Sequence, residues 1–211
     1  MTQEKYWDSV AEEKTFTTPF QMSMFETYVS TESRILDVGC SYGRTLDELY
    51  TRGFRNLHGV DFSQRMIDRG KKLHPHLDLR KNAREQLPFD DNSFDAVLLL
   101  AVLTCIIEDM DQTIFLREIR RVLKDNGILY VNDFLINEDQ RNVERYREYE
   151  DTYGTYGVFE LPEGVVVRHH TKDHILEVTG DFQTVEFQSM IFITMNGNRS
   201  NGFYFIGRKK R

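Results

Sequence analysis

The residues at positions 35–43, Ile-Leu-Asp-Val-Gly-Cys-Ser-Tyr-Gly, constrain the fold more than any other part of the chain. An apolar run ends in an acid, a loop of small residues follows, and a helical pattern begins at Arg44. Glycine permits a tight turn and the close approach of a ligand, and a helix start offers free N–H groups. Open α/β sheets bind ligands at the carboxyl ends of their strands. The segment predicts a nucleotide-like ligand there, although a simple tight connection between strand and helix has the same pattern.

The rest of the chain alternates between short apolar runs and helical patterns, which is typical of a parallel sheet covered by helices. Five such runs occupy residues 34–38, 56–61, 77–82, 94–100 and 128–134. Two longer runs, 182–195 and 202–208, are separated by Asn196-Gly197-Asn198, a sequence that favours a hairpin. We therefore expect an α/β fold with a Rossmann-like open, mostly parallel seven-stranded sheet, helices on both faces and a C-terminal antiparallel hairpin. We also expect a helix before the fifth run, with Asp111 as its N-cap residue.

The chain reads as a single domain, residues 1–211, because no low-complexity linker or repeat divides it. Two segments depart from the alternating pattern. The first, residues 1–30, is rich in aromatic side chains and is expected to form a lid over the site. The second, residues 137–170, is charged, rich in tyrosine and punctuated by glycine, which predicts an irregular insert on the substrate side.

Composition and charge limit the classes of molecule that the protein is expected to bind. The formal charge of −7 argues against nucleic acid, whose phosphates require a concentrated basic surface. No apolar run approaches the roughly 20 residues that span a bilayer, and the N-terminal residues lack the pattern of a signal peptide. Two cysteines are too few for a disulfide framework. We expect a cytoplasmic protein with a small-molecule substrate and neither a nucleic acid nor a membrane partner; oligomeric state is not predicted.

Asp61 ends the second run, 18 residues after Gly43, which is close to the spacing at which an acid meets ribose hydroxyls in dinucleotide folds. Its alternative role as a helix cap is filled by Ser63. The nicotinamide fingerprint G-x-G-x-x-G fails because Ser41 and Arg44 stand where it requires glycine. Residues 39–43 do match G-x-S-x-G, so a serine hydrolase with Ser41 as nucleophile stays an alternative, although that elbow normally follows several strands.

Five stretches in series resemble the class I S-adenosylmethionine-dependent methyltransferases, of the small-molecule (type 11/25-like) kind. Residues 35–43 resemble the first motif of that family and residues 59–63 the second. Residues 82–89 are similar to the stretch after the third strand, 93–97 to the fourth-strand motif, and 118–131 to the segment before the fifth strand. The sequence departs from the family in having Ser41, Asn82 and Cys105 where glycine, aspartate and histidine are common.

The resemblance implies S-adenosyl-L-methionine as cofactor and a cofactor-binding set of eleven positions. The first-motif acid and loop would face the methionine part, Asp61 would hold the ribose, and the remaining residues would enclose the adenine or close the pocket. The implied set is Asp37, Gly39, Cys40, Ser41, Gly43, Asp61, Phe62, Met66, Asn82, Ala83 and Leu100.

The implied reaction, methyl transfer to a small-molecule acceptor, needs little besides positioning, because the sulfonium is already activated. A general base is needed only if the acceptor still carries its proton. His169, His170 and Tyr153 of the insert are the candidates for catalysis. No metal is expected, because neither His169-His170 nor His74-Pro75-His76 has a third ligand at useful spacing. A non-catalytic module that keeps the cofactor pocket is the other alternative.

Overall fold

The computed structural model describes residues 2–82 and 86–210. In chain order its strands are β1 (Ile35–Val38), β2 (Leu57–Asp61), β3 (Asp78–Lys81), β4 (Phe94–Leu100), β5 (Leu123–Phe134), β6 (Val158–Glu160), β7 (Val166–Arg168), β8 (Phe182–Ile193) and β9 (Arg199–Lys209). Its helices are α1 (Gln3–Ser9), α2 (Met22–Phe25), α3 (Arg44–Thr51), α4 (Gln64–Leu73), α5 (Asp109–Val122), α6 (Gln140–Tyr153) and α7 (Lys172–Val178), with a 3₁₀ turn at Leu103–Cys105.

Seven strands form one sheet in the order β3-β2-β1-β4-β5-β9-β8. The first five of these are parallel, and β9 and β8 add an antiparallel hairpin to the β5 edge. One apolar layer packs α5 and α7 on one face of the sheet, and a second packs α2, α3 and α4 on the other. This confirms the predicted fold class. The chain direction of the parallel strands also places the ends of β1, β2, β4 and β5 at one edge.

Local sequence signals set most element boundaries. Ser63 caps α4 as predicted, since its Oγ accepts a hydrogen bond from Met66 N at 3.1 Å. The prediction of Asp111 as the cap of α5 is wrong: the helix begins at Asp109, with Glu108 as the N-cap residue. Asp111 instead lies in the first turn, where its negative charge interacts favourably with the positive end of the helix dipole.

The insert is more regular than predicted. It contains α6, which has 14 residues, and the two-stranded ribbon β6–β7. Asp139 caps α6 through its bond from Asn142 N, and the helix ends at Gly154, whose φ of 66° lies in the left-handed region. These two signals were present in the sequence, but the charged, tyrosine-rich composition between them obscured the amphipathic face.

The described residues include no helix with the length and apolar character to cross a bilayer.

Candidate functional site

A cavity of about 630 Å³ opens at the edge of the sheet where β1, β2, β4 and β5 end. Its size lies within the usual range for small-molecule sites. The last or next-to-last residue of each of these strands contributes to its wall: Asp37, Asp61, Leu100 and Phe134. The cavity therefore occupies the position that the strand order of an open α/β sheet gives to a ligand.

The loop after β1 is held against β2 in an unusual backbone conformation. Gly39 N and Cys40 N both donate to Val60 O, at 2.8 and 3.1 Å. Gly39 has a φ of 79°, and a Cβ added to it would lie 2.7 Å from Val102 Cγ2. Ser41 also has a positive φ, 52°, which is rare for a residue with a side chain. Gly39, Cys40 and Ser41 all line the cavity, so the loop presents backbone to whatever binds there.

Asp61 is buried at the end of β2, and backbone groups fix the orientation of its carboxylate. Oδ2 accepts a hydrogen bond from Ser41 N and Oδ1 one from Ser63 N, each at 2.8 Å. The first of these bonds links the loop after β1 to the tip of β2. Gly39 and Asp61 are therefore adjacent, and no side chain of the described residues fills the space that they border.

Asp37 supplies a second acid to the same wall. It is 3% exposed, and no described residue donates a hydrogen bond to its carboxylate. Burial raises its pKa to about 7, with the Arg44 guanidinium opposing the shift and Asp61 adding to it. A buried acid without a hydrogen-bond donor, facing a cavity, suits a ligand that brings a cation or an N–H donor.

Three more of the predicted cofactor residues, Phe62, Met66 and Leu100, line the same end of the cavity. Asn82 does not, although its backbone N–H donates to Asp61 O at 2.9 Å and its side-chain amide donates to Gln86 O at 3.0 Å. Ala83 lies outside the described residues, so the adenine contacts predicted for Asn82 and Ala83 stay predictions.

Gly43 is also absent from the cavity wall. Its φ is 84°, and a Cβ there would lie 3.0 Å from Leu77 Cδ1 and 3.2 Å from Leu79 Cδ1. Gly43 lets the chain turn into α3 while packing closely against the leucines behind the loop, and its predicted contact with a ligand stays a prediction.

The N-terminal segment, residues 2–18, covers part of the cavity, and Tyr6, Trp7 and Phe16 are among its lining residues. It is anchored on one side by Asp8, whose Oδ1 accepts from Ser63 Oγ at 2.6 Å. On the other side Gln3 Nε2 donates to Val166 O of β7 at 2.6 Å. Phe20, also expected in the lid, instead packs against Tyr130 in the core.

The other half of the cavity is built by the insert and the terminal hairpin. Its lining combines rings with a few polar groups: Phe134, Arg141, Arg145, Glu148, Tyr149, Phe159, Glu160, Leu161, His169, Phe192, Asn196, Asn198 and Ser200. Sequence analysis pointed to the insert but missed Arg141, Arg145 and the contribution of the hairpin turn. The turn residues could not have been found from local sequence, because only the pairing of β8 with β9 carries them back over the sheet.

His169, one of the catalytic candidates, lines this half and is 7% exposed. Its Nδ1 lies 2.6 Å from Tyr146 Oη and 3.2 Å from Asn137 Nδ2. Asn137 Oδ1 accepts from Asn201 N, which orients the amide so that Nδ2 faces the histidine. Nδ1 is therefore the acceptor, and the hydrogen is assigned to Nε2.

The pKa of His169 is lowered to about 3 by burial and by the charges of Arg145 and Arg141. The ring is neutral at physiological pH, and its conjugate acid is too acidic for efficient proton abstraction. The geometry therefore favours His169 as a hydrogen-bond donor through Nε2 rather than as the predicted general base.

The other two catalytic candidates do not reach the cavity. His170 is 1% exposed, stacks on His174 with ring centroids 5.5 Å apart, and is not part of the lining. Tyr153 stacks on Tyr149 with a centroid distance of 6.1 Å, at the end of α6, and is also absent from the lining. Because neither side chain meets the enclosed space, we give neither a role in the reaction.

The pair His74 and His76 has a third potential ligand, contrary to the sequence analysis. Asp47 Oδ1 lies 3.1 Å from His74 Nδ1 and 3.0 Å from His76 Nε2. The prediction that no third group accompanies the pair is therefore wrong, because α3 brings Asp47 across from a distant part of the chain. None of the three residues lines the cavity.

Ser41 lacks the surroundings of a hydrolytic nucleophile. Its Oγ contacts Met66 Sδ at 3.1 Å, and no imidazole among the described residues hydrogen-bonds to it. A nucleophilic serine needs a base within hydrogen-bonding distance. The geometry therefore does not support the hydrolase alternative.

Comparison with known proteins identifies the domain. Residues 36–131 match the family described as methyltransferase domain. A SAM-dependent methyltransferase from Methanosarcina mazei superposes with a TM-score of 0.84 at 23% identity, covering 89% of this chain and 97% of that one. Residues 36–131 are therefore similar to a methyltransferase domain, and the fold is that of S-adenosylmethionine-dependent methyltransferases. The matched segment of this methyltransferase domain runs from β1 into β5 and so contains the wall formed by Asp37, Gly39 and Asp61.

Proteins that are similar to this domain in sequence have names that describe different activities. Carboxy-S-adenosyl-L-methionine synthase from Campylobacter fetus is 31% identical over 142 residues, which is 64% of this chain and 60% of that protein. An eEF1A lysine and N-terminal methyltransferase from Mus musculus is 27% identical over 104 residues, 47% of this chain and 15% of that protein. The chain thus spans less than two thirds of the length of these relatives.

Proposed function

We propose that the protein binds S-adenosylmethionine and transfers its methyl group to a small-molecule acceptor. The observation that carries this proposal is that one cavity joins two chemically different halves. Exposed backbone and two acids at the strand tips form the first half, and aromatic rings with a few polar groups form the second. Such a cavity has room for a nucleoside compound beside an acceptor of modest size.

Residues of the first half have the chemistry that this cofactor requires. The buried Asp37 carboxylate suits the ammonium group of the methionine part, and the oriented carboxylate of Asp61 suits the ribose hydroxyls. Phe62 and Met66 offer apolar surface to the base. The loop around Gly39 lets backbone approach closely, because a side chain there would collide with Val102.

The cofactor, when bound, supplies a methyl group on a positively charged sulfur, which an acceptor lone pair attacks. The new bond to the acceptor forms as the carbon–sulfur bond breaks, and the sulfur keeps the electron pair as S-adenosylhomocysteine. The protein's part is to align the acceptor and exclude water, since the rings of Phe134, Phe159 and Phe192 enclose the second half. His169 offers a hydrogen bond through Nε2 and is too weak a base to remove an acceptor proton, so we expect acceptors that are already deprotonated at neutral pH to be methylated.

Methyl transfer is tested by incubating the protein with methyl-labelled S-adenosylmethionine and a panel of small acceptors, followed by mass spectrometry. We expect S-adenosylhomocysteine and a methylated acceptor in equal amounts. Tight cofactor binding with no transfer to any acceptor would instead favour the non-catalytic module. A modified adenosyl compound formed without a methylated product would contradict the proposed reaction.

Replacing Ser41 by alanine should leave more than about half of the methyl-transfer rate, because the hydroxyl contacts only Met66 among the described residues. The measurement is the initial rate with saturating cofactor. A fluorophosphonate probe that labels the wild-type protein but not Ser41→Ala, together with loss of activity, would restore the hydrolase alternative.

Trp7 provides an optical signal for cofactor binding, because it is the one tryptophan in the sequence and it lines the cavity. Its ring centroid lies 5.6 Å from that of Phe16. We expect S-adenosylhomocysteine to cause a saturable change in tryptophan emission. Trp7→Phe should lose the signal while calorimetry still detects binding. Calorimetric binding to the wild-type protein with unchanged emission would place the ligand away from the N-terminal segment.

A further inference from the structure

Arg145 is a cation without a counterion in the second half of the cavity. Its side chain is half-buried, its Nε is buried without a hydrogen-bond partner, and it forms no ion pair within the described residues. Its guanidinium carbon lies 3.6 Å from the centroid of the Phe159 ring. Burial lowers the pKa of Arg145, while Tyr146, which hydrogen-bonds to it, opposes this shift and the charge of Arg141 adds to it. Removing a charge from water without a partner is costly, so an unpaired arginine facing a cavity indicates a missing anion.

His169 lies beside this cation. The Phe159 ring contacts both, being edge-on to His169 with centroids 5.0 Å apart. His169 is further held by stacking on Phe134 at 5.4 Å and by the bond between Nδ1 and Tyr146. Since Nδ1 is occupied, Nε2–H is the polar group that the ring has left to offer. Arg145, Phe159 and His169 form what we call the basic corner.

The other charges near the basic corner do not neutralise Arg145. Glu148 and Glu160 line the cavity, but both residues are exposed and neither lies within 4.0 Å of Arg145 as an ion pair. Asp139 pairs, at 3.9 Å, with Arg141, the other arginine in the second half of the cavity. The basic corner therefore offers one positive charge, on Arg145, and one neutral N–H donor, on His169.

We propose that the acceptor is a carboxylic acid whose carboxylate binds in the basic corner, between Arg145 and His169 Nε2. This rests on the proposed function, because it names the acceptor class of the same cavity. A carboxylate carries one negative charge and two acceptor oxygens, which match one guanidinium and one N–H donor. The rings of Phe134, Tyr149, Phe159 and Phe192 line the surrounding wall and fit an aromatic or otherwise apolar body attached to the acid.

The proposal is tested with acids and their neutral amides: benzoate and benzamide, phenylacetate and phenylacetamide, indole-3-acetate and indole-3-acetamide. Binding is measured by calorimetry on the protein alone and on the protein saturated with S-adenosylhomocysteine. We expect at least one acid to bind tenfold or more tightly than its amide, the effect of a charge-assisted hydrogen bond to a buried arginine. Phenyl phosphate forms a separate arm, and its binding above all of the acids would assign the corner to phosphate instead.

Arg145→Met should bring the affinities of the acid and the amide within about twofold of each other, because methionine keeps an apolar stem of similar length and loses the charge. Arg147→Met is the matched control: Arg147 is exposed on the same helix and does not line the cavity. It should keep the preference for the acid. Both variants should bind S-adenosylhomocysteine as the wild-type protein does, which shows that they are folded.

The proposal is overturned if no acid of the panel is preferred over its amide, or if Arg145→Met retains the preference. The failure of the proposed function has a different signature. In that case S-adenosylhomocysteine does not bind the wild-type protein, or no labelled methyl group reaches any acceptor of the wider panel, whatever the preference of the basic corner for carboxylates.

Discussion

Replacing Asp61 by alanine should weaken the binding of S-adenosylmethionine about 100-fold or more. The Asp61 carboxylate is held by Ser41 N and Ser63 N at 2.8 Å and faces the cavity at the tip of β2. Each hydrogen bond from a ribose hydroxyl to an ionised carboxylate contributes about 1.5–3 kcal/mol, and two of them account for this loss. The measurement is calorimetric titration of the wild-type and variant proteins with the cofactor and with its demethylated product.

The matched control is Asp68→Ala, because Asp68 is an exposed acid on α4 that does not line the cavity. It should bind the cofactor as the wild-type protein does. Circular dichroism of Asp61→Ala should match the wild-type spectrum, since the strands around it are held by the apolar layers of the sheet. A folded Asp61→Ala protein that binds the cofactor within threefold of wild type would remove Asp61 from the cofactor site.

Replacing Asp37 by asparagine should stabilise the ligand-free protein above pH 7 and weaken its binding of the cofactor. The pKa of Asp37 is raised to about 7 in the folded protein, against about 4 in an unfolded chain. Between these values the folded state holds the proton more tightly, so the free energy of unfolding falls as pH rises, by about 1.4 kcal/mol per pH unit. Above pH 7 the asparagine variant avoids this loss, which amounts to at most about 4 kcal/mol.

Bound cofactor should favour aspartate over asparagine at position 37, because its positive groups stabilise the ionised form of Asp37. Cofactor affinity of the wild-type protein should therefore rise between pH 6 and 8, and Asp37→Asn should bind at least about tenfold more weakly at pH 8 without this rise. Denaturant unfolding and calorimetry at several pH values provide the two measurements, with the exposed acid Asp68→Asn as control. Equal pH dependence of unfolding in the wild type and Asp37→Asn would mean that Asp37 is already ionised in the ligand-free protein.

Most of the residues that line the first half of the cavity could be selected from the sequence because they lie in short local motifs. An acid at the end of a strand followed by a glycine loop predicts both the position of Asp37 and the conformation of Gly39, whatever happens elsewhere in the chain. Asp61 was also accessible, since the next strand along the chain pairs with β1. For Gly43, spacing alone does not tell whether a glycine faces a ligand or the packed leucines behind it.

The second half was only partly predictable because contacts between distant segments create it. His169 was a candidate, but its chemistry depends on Tyr146 and Asn137, which lie 23 and 32 residues away in sequence. Those contacts bury the ring and occupy Nδ1, which turns an expected base into a donor. Arg145 gave no local signal either, because a charged residue on a helix usually faces solvent.

The N-terminal segment touches both walls of the cavity at once, through Asp8 on the side of Ser63 and through Gln3 on the side of the β6–β7 ribbon. We expect that breaking either contact widens the path by which a product leaves the cavity beside Tyr6 and Trp7. Removing the hydrogen bond of Gln3 alone should speed the release of product while leaving the rate of methyl transfer unchanged.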